Sequence, residues 1–313
     1  GRGVPAMSRP STTSPQPALP TIASMKLTRR TAIAAIAAVA ASPSTLLAQN
    51  DLAATLTALE QKSKGRLGVA ILFPNGRRVT HRPDERFPMC STFKFLAASL
   101  VLQRVDQNKE HLDRTITYSK SDLVTYSPET EKHTSMTIAE LTKAALTLSD
   151  NTAANLLLAS FGGPPAITAF ARSIGDPVTR LDRTETTLNE STPGDPRDTT
   201  TPTAMLGNLQ KILFGNVLKP ASRQQLTTWM LANTTGKAKF VAGLPADWKV
   251  ADKTGSGDHG SNNDIGVLYP PNNAKPILIA SYLTETPLST DERNAIHADI
   301  ARAIEHTTGV SSL

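Results

Sequence analysis

The strand-like runs, one group near the start of this chain and another near its end, limit its fold more than any other feature. Gly68–Phe73 is continuously apolar, as a strand covered on both faces would be. Pro74-Asn75-Gly76 is a turn signal, and Arg77–His81 returns as a second strand. Far downstream, Trp248–Thr254, Asp264–Tyr269 and Pro276–Leu283 read as three more strands, with Pro270-Pro271-Asn272-Asn273 turning between the last two. Helical signals fill the space between. Thr137-Ile138-Ala139-Glu140 is a capping box ahead of the stripe Ile138, Leu141, Ala145 and Leu148. Ala153–Phe161 continues as an apolar helix stopped by Gly162-Gly163-Pro164-Pro165. Thr201-Pro202 opens another that runs through Leu213, with proline at its first position. A helix over Asn50–Gln61 shows Leu52, Leu56 and Leu59 on one face. A last helix follows the capping box Ser289-Thr290-Asp291-Glu292 and buries Ile296, Ile300 and Ile304. The fold class is therefore α/β plus all-α. An antiparallel sheet lobe, built from both termini and flanked by helices, takes residues 49–82 and 232–313, and an inserted helical lobe takes 83–231, with the site between them.

The net charge of +6 suggests an acidic partner, but the leader accounts for most of it. Residues 1–48 hold Arg2, Arg9, Lys26, Arg29 and Arg30 and no acid; without those five, 28 of the 33 basic residues face 27 acidic ones. No clustered basic face remains, so nucleic acid is excluded as a partner. Met25-Lys26-Leu27-Thr28-Arg29-Arg30 is a basic segment, and Ala32–Ala41 is an apolar run too short to span a bilayer. Together they read as a signal peptide cleaved after Ala48, exported by the general secretory or the twin-arginine route. Residues 1–24 precede a candidate start at Met25 and are set aside from fold reasoning. The expected location after processing is periplasmic or secreted, without stable membrane association. Cys90 is the single cysteine, so no disulfide forms within the chain, and it reads as a small buried packing residue. The six scattered histidines show no ligand spacing, so neither a metal nor another cofactor is expected.

Met89-Cys90-Ser91-Thr92-Phe93-Lys94, followed by Phe95-Leu96-Ala97-Ala98, reads as the first turns of a buried helix. Ser91 and Lys94 are three apart and so share one helical face. A serine hydroxyl needs a base within hydrogen-bond reach, and a lysine serves only if burial or a cationic neighbour lowers its pKa. The pair alone is weak, since a chain of this length contains about one Ser-x-x-Lys by chance. Two further segments strengthen it: Ser149-Asp150-Asn151, in a tight connection between helices, and Lys253-Thr254-Gly255, on a strand. Ser149-Asp150-Asn151 taken alone would be an ordinary turn capping the next helix.

These three motifs, in this order, are shared by class A β-lactamases and penicillin-binding proteins. From about Asn50 onward the chain resembles a class A serine β-lactamase, with the β-lactamase/transpeptidase-like fold. The resemblance implies that Ser91 is acylated, with Lys94 beside it as base or proton relay. It implies that Ser149 passes a proton to the leaving β-lactam nitrogen, assisted by Lys253. Asn151 would bond the substrate's amide side chain, and Asp150 would be structural. The Ser91 and Ser256 N–H groups would form the oxyanion hole, and Gly255 would allow close approach. Lys253, Thr254 and Ser256 would hold the substrate carboxylate, with Lys239 or Arg293 as a further cation. Tyr126 matches the aromatic that stacks at the cleft mouth. Arg183-Thr184-Glu185-Thr186-Thr187-Leu188-Asn189 resembles the deacylation segment, with Glu185 as base, Asn189 sharing its water, and an Arg183–Asp198 salt bridge closing the loop. Lys94 and Glu185 both remain candidates for the acylation base.

Several positions depart from common members. Thr186 replaces a proline after the glutamate, where the family's peptide bond is cis, so the bond is expected to be trans or the loop more mobile. Thr184 replaces a large aromatic and leaves more room. Ser256 and Asp258 resemble positions of cefotaxime-hydrolysing members. Gly257 stands where many carbapenemases place a cysteine. The expected function is hydrolysis of penicillins and cephalosporins by a monomer, giving antibiotic resistance, with a small-molecule β-lactam as its partner. The alternatives are a penicillin-binding D,D-peptidase or transpeptidase, which lacks the Glu185 segment, and a non-catalytic β-lactam sensor, which would acylate once and stall.

Overall fold

The computed structural model describes residues 43–309, so most of the expected leader lies outside the described residues. The described part opens with helix α1, Pro43–Ser63, and the hairpin β1, Arg66–Leu72, and β2, Arg78–His81. The short strand β3, Phe87–Pro88, leads to helix α2, Phe93–Asp106. Strands β4, Thr115–Thr117, and β5, Ser135–Thr137, pair ahead of helices α3, Ile138–Thr147, α4, Asn151–Ser160, and α5, Pro164–Ser173. Strand β6, Thr199–Thr200, pairs with β3 and precedes helices α6, Pro202–Leu213, and α7, Pro220–Leu231. Strands β7, Lys249–Ser256, β8, Asn262–Tyr269, and β9, Ile277–Thr284, then precede helix α8, Thr290–Thr308.

The main sheet runs β2-β1-β9-β8-β7 and is antiparallel throughout. The amino-terminal β1 lies between β2 and the carboxy-terminal β9, with Ala70 opposite Ala280, so the sheet is built from both ends of the chain. Side chains alternate across a strand. Leu67, Val69 and Ile71 of β1, with Ile277, Ile279 and Leu283 of β9, pack under α1 and α8 against Leu52, Leu56, Ile296, Ile300 and Ile304. Ala70 and Leu72, with Leu278, Ala280 and Tyr282, face the other helices. Both faces are covered, which is why β1 reads as a continuous apolar run rather than an alternating one.

Helix α2 is the core of the second layer and is buried on nearly every side from Phe93 to Leu102. It packs against α3, α4, α5 and α7. Both expected capping boxes form. Thr137 accepts from the Glu140 N–H at 3.2 Å, and Ser289 from that of Glu292 at 3.3 Å, while each glutamate returns to its cap's N–H. Thr201 caps α6 through Ala204 N–H at 3.1 Å, with Pro202 at the first helical position. Helix α4 starts two residues before the expected Ala153 because the Asp150 carboxylate caps it, accepting from Ala153 N–H at 2.8 Å. Strand β7 is at the sheet edge, so its outer side is free to meet other segments.

The α8 stripe is a packing surface remote from the polar motifs. Ile300→Ala is therefore expected to cost about 2–5 kcal/mol by urea unfolding. The partners of Ser91 should remain in place, as a crystal structure of the variant would show.

Candidate active site

The chain leaves β3 through Cys90, whose φ is +47°, and winds one 3-10 turn over Cys90–Thr92 into α2. Ser91 thus sits at the head of a buried helix, where unpaired N–H groups and the helix dipole favour negative charge. The spacing puts Lys94 where expected: its Nζ donates to Ser91 Oγ at 3.0 Å. Cys90 is buried, as expected for a packing residue, and burial pushes its thiol up to about 12.

Lys94 gathers the other segments. Its Nζ donates to the Ser149 carbonyl at 2.8 Å and to Asn151 Oδ1 at 2.6 Å, and lies 3.1 Å from Glu185 Oε1. Its side chain has no exposed surface. Burial pushes the Lys94 pKa down, against the pull of the Glu185 carboxylate. Ser149 Oγ, in turn, accepts from Lys253 Nζ at 3.0 Å. Lys253 is also fully buried, and burial together with the positive charges of Lys94 and Lys239 drives its pKa well below 10.5. Asn151 is engaged at both ends, since its Nδ2 donates to the Thr125 carbonyl at 2.8 Å. Asp150 is wholly structural: beyond the cap, it accepts from Glu129 N–H and Thr130 N–H, each at 2.9 Å, and from Thr130 Oγ1 at 2.8 Å.

The irregular segment Arg183–Asp198 brings a carboxylate to the same point. Ser91 Oγ donates to Glu185 Oε1 at 3.2 Å, and Asn189 Nδ2 donates to Glu185 Oε2 at 2.6 Å. The Arg183–Asp198 bridge forms at 2.6 Å, and Asp198 Oδ1 also takes the N–H groups of Asp182 and Arg183. The Glu185-Thr186 peptide bond is cis, so the trans alternative raised by the missing proline does not apply. Asn155 went unnoticed in the sequence. Its side chain clamps Glu185 on both sides, accepting from its N–H and donating to its carbonyl, each at 2.9 Å. The available signal was its place on α4, four residues after Asn151 and so on the same face.

Strand β7 forms the opposite wall. A Cβ added to Gly255 would lie 2.8 Å from the Met89 carbonyl and 3.2 Å from Ser91 N, too close for any side chain to fit without a shift. The strand therefore passes directly against the nucleophile turn. Thr254 is buried, with its Oγ1 2.5 Å from Thr235 Oγ1, and Ser256 is exposed at the strand end. Tyr126 is 57% exposed, and its carbonyl accepts from Asn151 N–H at 3.0 Å, which ties it to the rim of the site.

The two candidate cations differ. Lys239 is buried and donates to the Asn263 carbonyl at 2.9 Å and the Gly255 carbonyl at 3.4 Å, so it lies against β7. Burial lowers it to about 8, against the attraction of Asp264 and Asp252. Arg293 spends its guanidinium at the start of its own helix, on the Ser289 carbonyl at 3.3 Å and Thr290 Oγ1 at 3.0 Å. Among the described residues, no group of three His, Cys, Asp or Glu side chains is placed to hold a metal ion.

A family model described as the β-lactamase enzyme family matches residues 51–307. The β-lactamase CTX-M-97 of Escherichia coli is 49% identical over 269 residues, covering 85% of this chain and 92% of that protein. The β-lactamase OXY-1 of Klebsiella oxytoca is 47% identical over 275 residues, covering 85% and 94%. Among solved structures, an ancestral (GNCA) class A β-lactamase is 60% identical with a TM-score of 0.80, covering 82% of this chain and 99% of that one.

The electrostatic coupling of the two buried lysines can be measured. Lys94→Met removes one of the charges that lower Lys253, so the Lys253 proton should come off at higher pH than in the parent. The Nζ nitrogen shift in an NMR titration reads this directly, and an unmoved or lowered midpoint would contradict the coupling.

Proposed function

The chain belongs to the class A β-lactamases and hydrolyses the β-lactam ring, and on that premise we propose that Ser91 carries the acyl-enzyme through which penicillins and cephalosporins are opened. The observation that carries this reading is the position of Ser91 Oγ between Lys94 Nζ at 3.0 Å and Glu185 Oε1 at 3.2 Å. Lys94 commits two N–H groups to the Ser149 carbonyl and Asn151 Oδ1, which accept only, and a third to Ser91. Ser91 Oγ in turn donates to Glu185 Oε1, so the Ser91 proton goes to Glu185. Lys94 stabilises the charge and relays protons toward Ser149. The Ser91 and Ser256 N–H groups take the oxyanion.

The Ser149 hydroxyl hands its proton to the leaving nitrogen, and Lys253, 3.0 Å away, makes that proton easier to give up. Asn151 bonds the substrate's amide side chain, and Tyr126 packs on the substrate at the cleft mouth. Lys253, Thr254 and Ser256 hold the substrate carboxylate. Lys239, against the same strand, supplies the further positive charge, a role that the contacts of Arg293 at its own helix start do not support.

Glu185 and Asn189 then aim water at the ester. Their joint placement favours turnover over a D,D-peptidase, which lacks this segment, and over a sensor, which would acylate once and stall. No described helix is long and apolar enough to cross a membrane. On this reading the enzyme acts as a monomer, periplasmic or secreted, and confers β-lactam resistance.

In the test, Glu185→Ala is mixed with benzylpenicillin and weighed by mass spectrometry. A persistent adduct on Ser91, with hydrolysis slowed by about 10²-fold or more, is the expected result. Deacylation at the parental rate would refute the role of Glu185.

A further inference from the structure

Beside the strand that carries Lys253 and Thr254, a hydrogen-bond chain runs inward from the rim. Thr254 Oγ1 and Thr235 Oγ1 are 2.5 Å apart. Thr235 Oγ1 also reaches Asn233 Oδ1 at 2.9 Å, and Thr235 N–H donates to that same oxygen at 3.0 Å. The Asn233 Nδ2 donates to Asp252 Oδ1 at 2.8 Å. The Asn233 amide is therefore fixed from both ends: a carboxylate oxygen requires the NH₂ on one side, and a backbone N–H requires the oxygen on the other.

The two hydroxyls of this chain share a choice, which turns on Thr235. Its single proton can go to Asn233 Oδ1, in which case Thr254 must donate to Thr235 and turns its proton away from a ligand. Alternatively it goes to Thr254 Oγ1, and the Thr254 proton is then free to point at an anion. Asn233 Oδ1 keeps the Thr235 N–H in either state, so the switch leaves no buried acceptor bare. Thr235 is half-buried and Thr254 is buried.

We propose that Thr235 is a positioning residue whose hydroxyl, by donating to Thr254, turns the Thr254 proton toward the substrate carboxylate. A donor that is itself hydrogen-bonded is polarised and gives a stronger bond to an anion. Asn233 and Asp252 serve as the fixed end of the chain. This inference rests on the assignment of Thr254 to carboxylate binding made above.

The test compares kcat/KM for benzylpenicillin with that for its methyl ester, which lacks the charge. Thr235→Ala should narrow the acid-over-ester preference about fivefold, the worth of about one hydrogen bond. The loss should fall on KM for the acid, with kcat within about twofold, and Thr235→Ser should restore the preference. An unchanged preference in Thr235→Ala, or an equal fall for acid and ester, would overturn the proposal. Thr254→Ala separates the two assignments. If it narrows the preference while Thr235→Ala does not, only the positioning role fails. If Thr254→Ala leaves the preference intact, the carboxylate assignment fails and the role of Thr235 with it.

Discussion

One buried lysine organises the site. Lys94 has no exposed surface, and stripping a cation of water costs several kcal/mol unless its N–H groups are all satisfied. The sequence supplies acceptors from three other places in the chain: Ser91 in the turn before α2, Ser149 and Asn151 around the start of α4, and Glu185 in the irregular loop. The last two of these segments are held also by devices of their own. Asp150 locks the connection between helices, Asn155 clamps the Glu185 backbone, and the Arg183–Asp198 bridge closes the loop. Lys94 is thus a structural centre, and the atoms that solvate it are those to which the proposed reaction assigns roles.

The second wall depends on charge balance of the same kind. Lys253 is buried close to Lys94 and Lys239, so its proton is held weakly, which suits the role proposed for it of easing a proton off Ser149. Behind it, burial raises Asp252 and raises Asp264 well above the ordinary carboxylate range, each with the opposing pull of Lys239. Gly255 lets this charged strand lie against the nucleophile turn, where any larger residue would force them apart. The strand can come so close because β7 is the free edge of the sheet.

Much of this was legible in the sequence, and the divide has a physical basis. The strands and their two-sided burial followed from apolar runs such as Gly68–Phe73, because local pattern reports burial directly. The capping boxes at Thr137 and Ser289 were equally local. Ser91 with Lys94 was legible because one helix holds both. Glu185 was not: a carboxylate in an irregular loop has no periodicity, and it was placed by family resemblance alone. Lys239 and Arg293 looked alike as sequence and differ only in what surrounds them, a matter of long-range contact. Asn155 carries a helical-spacing signal, four residues after Asn151, but no motif of its own. Asn233 and Thr235 had none, since their partners Asp252 and Thr254 lie on a strand nineteen residues further along.

The most direct test of the account is a count of turnovers on the unaltered chain. Excess benzylpenicillin is added, ring opening is followed, and the protein is weighed by mass spectrometry during the reaction. Glu185 and Asn189 beside Ser91 lead us to expect many rings opened per protein molecule, with little standing adduct. One equivalent consumed, with a lasting adduct on Ser91, would contradict it: the serine would be competent and the Glu185 loop would not deacylate it.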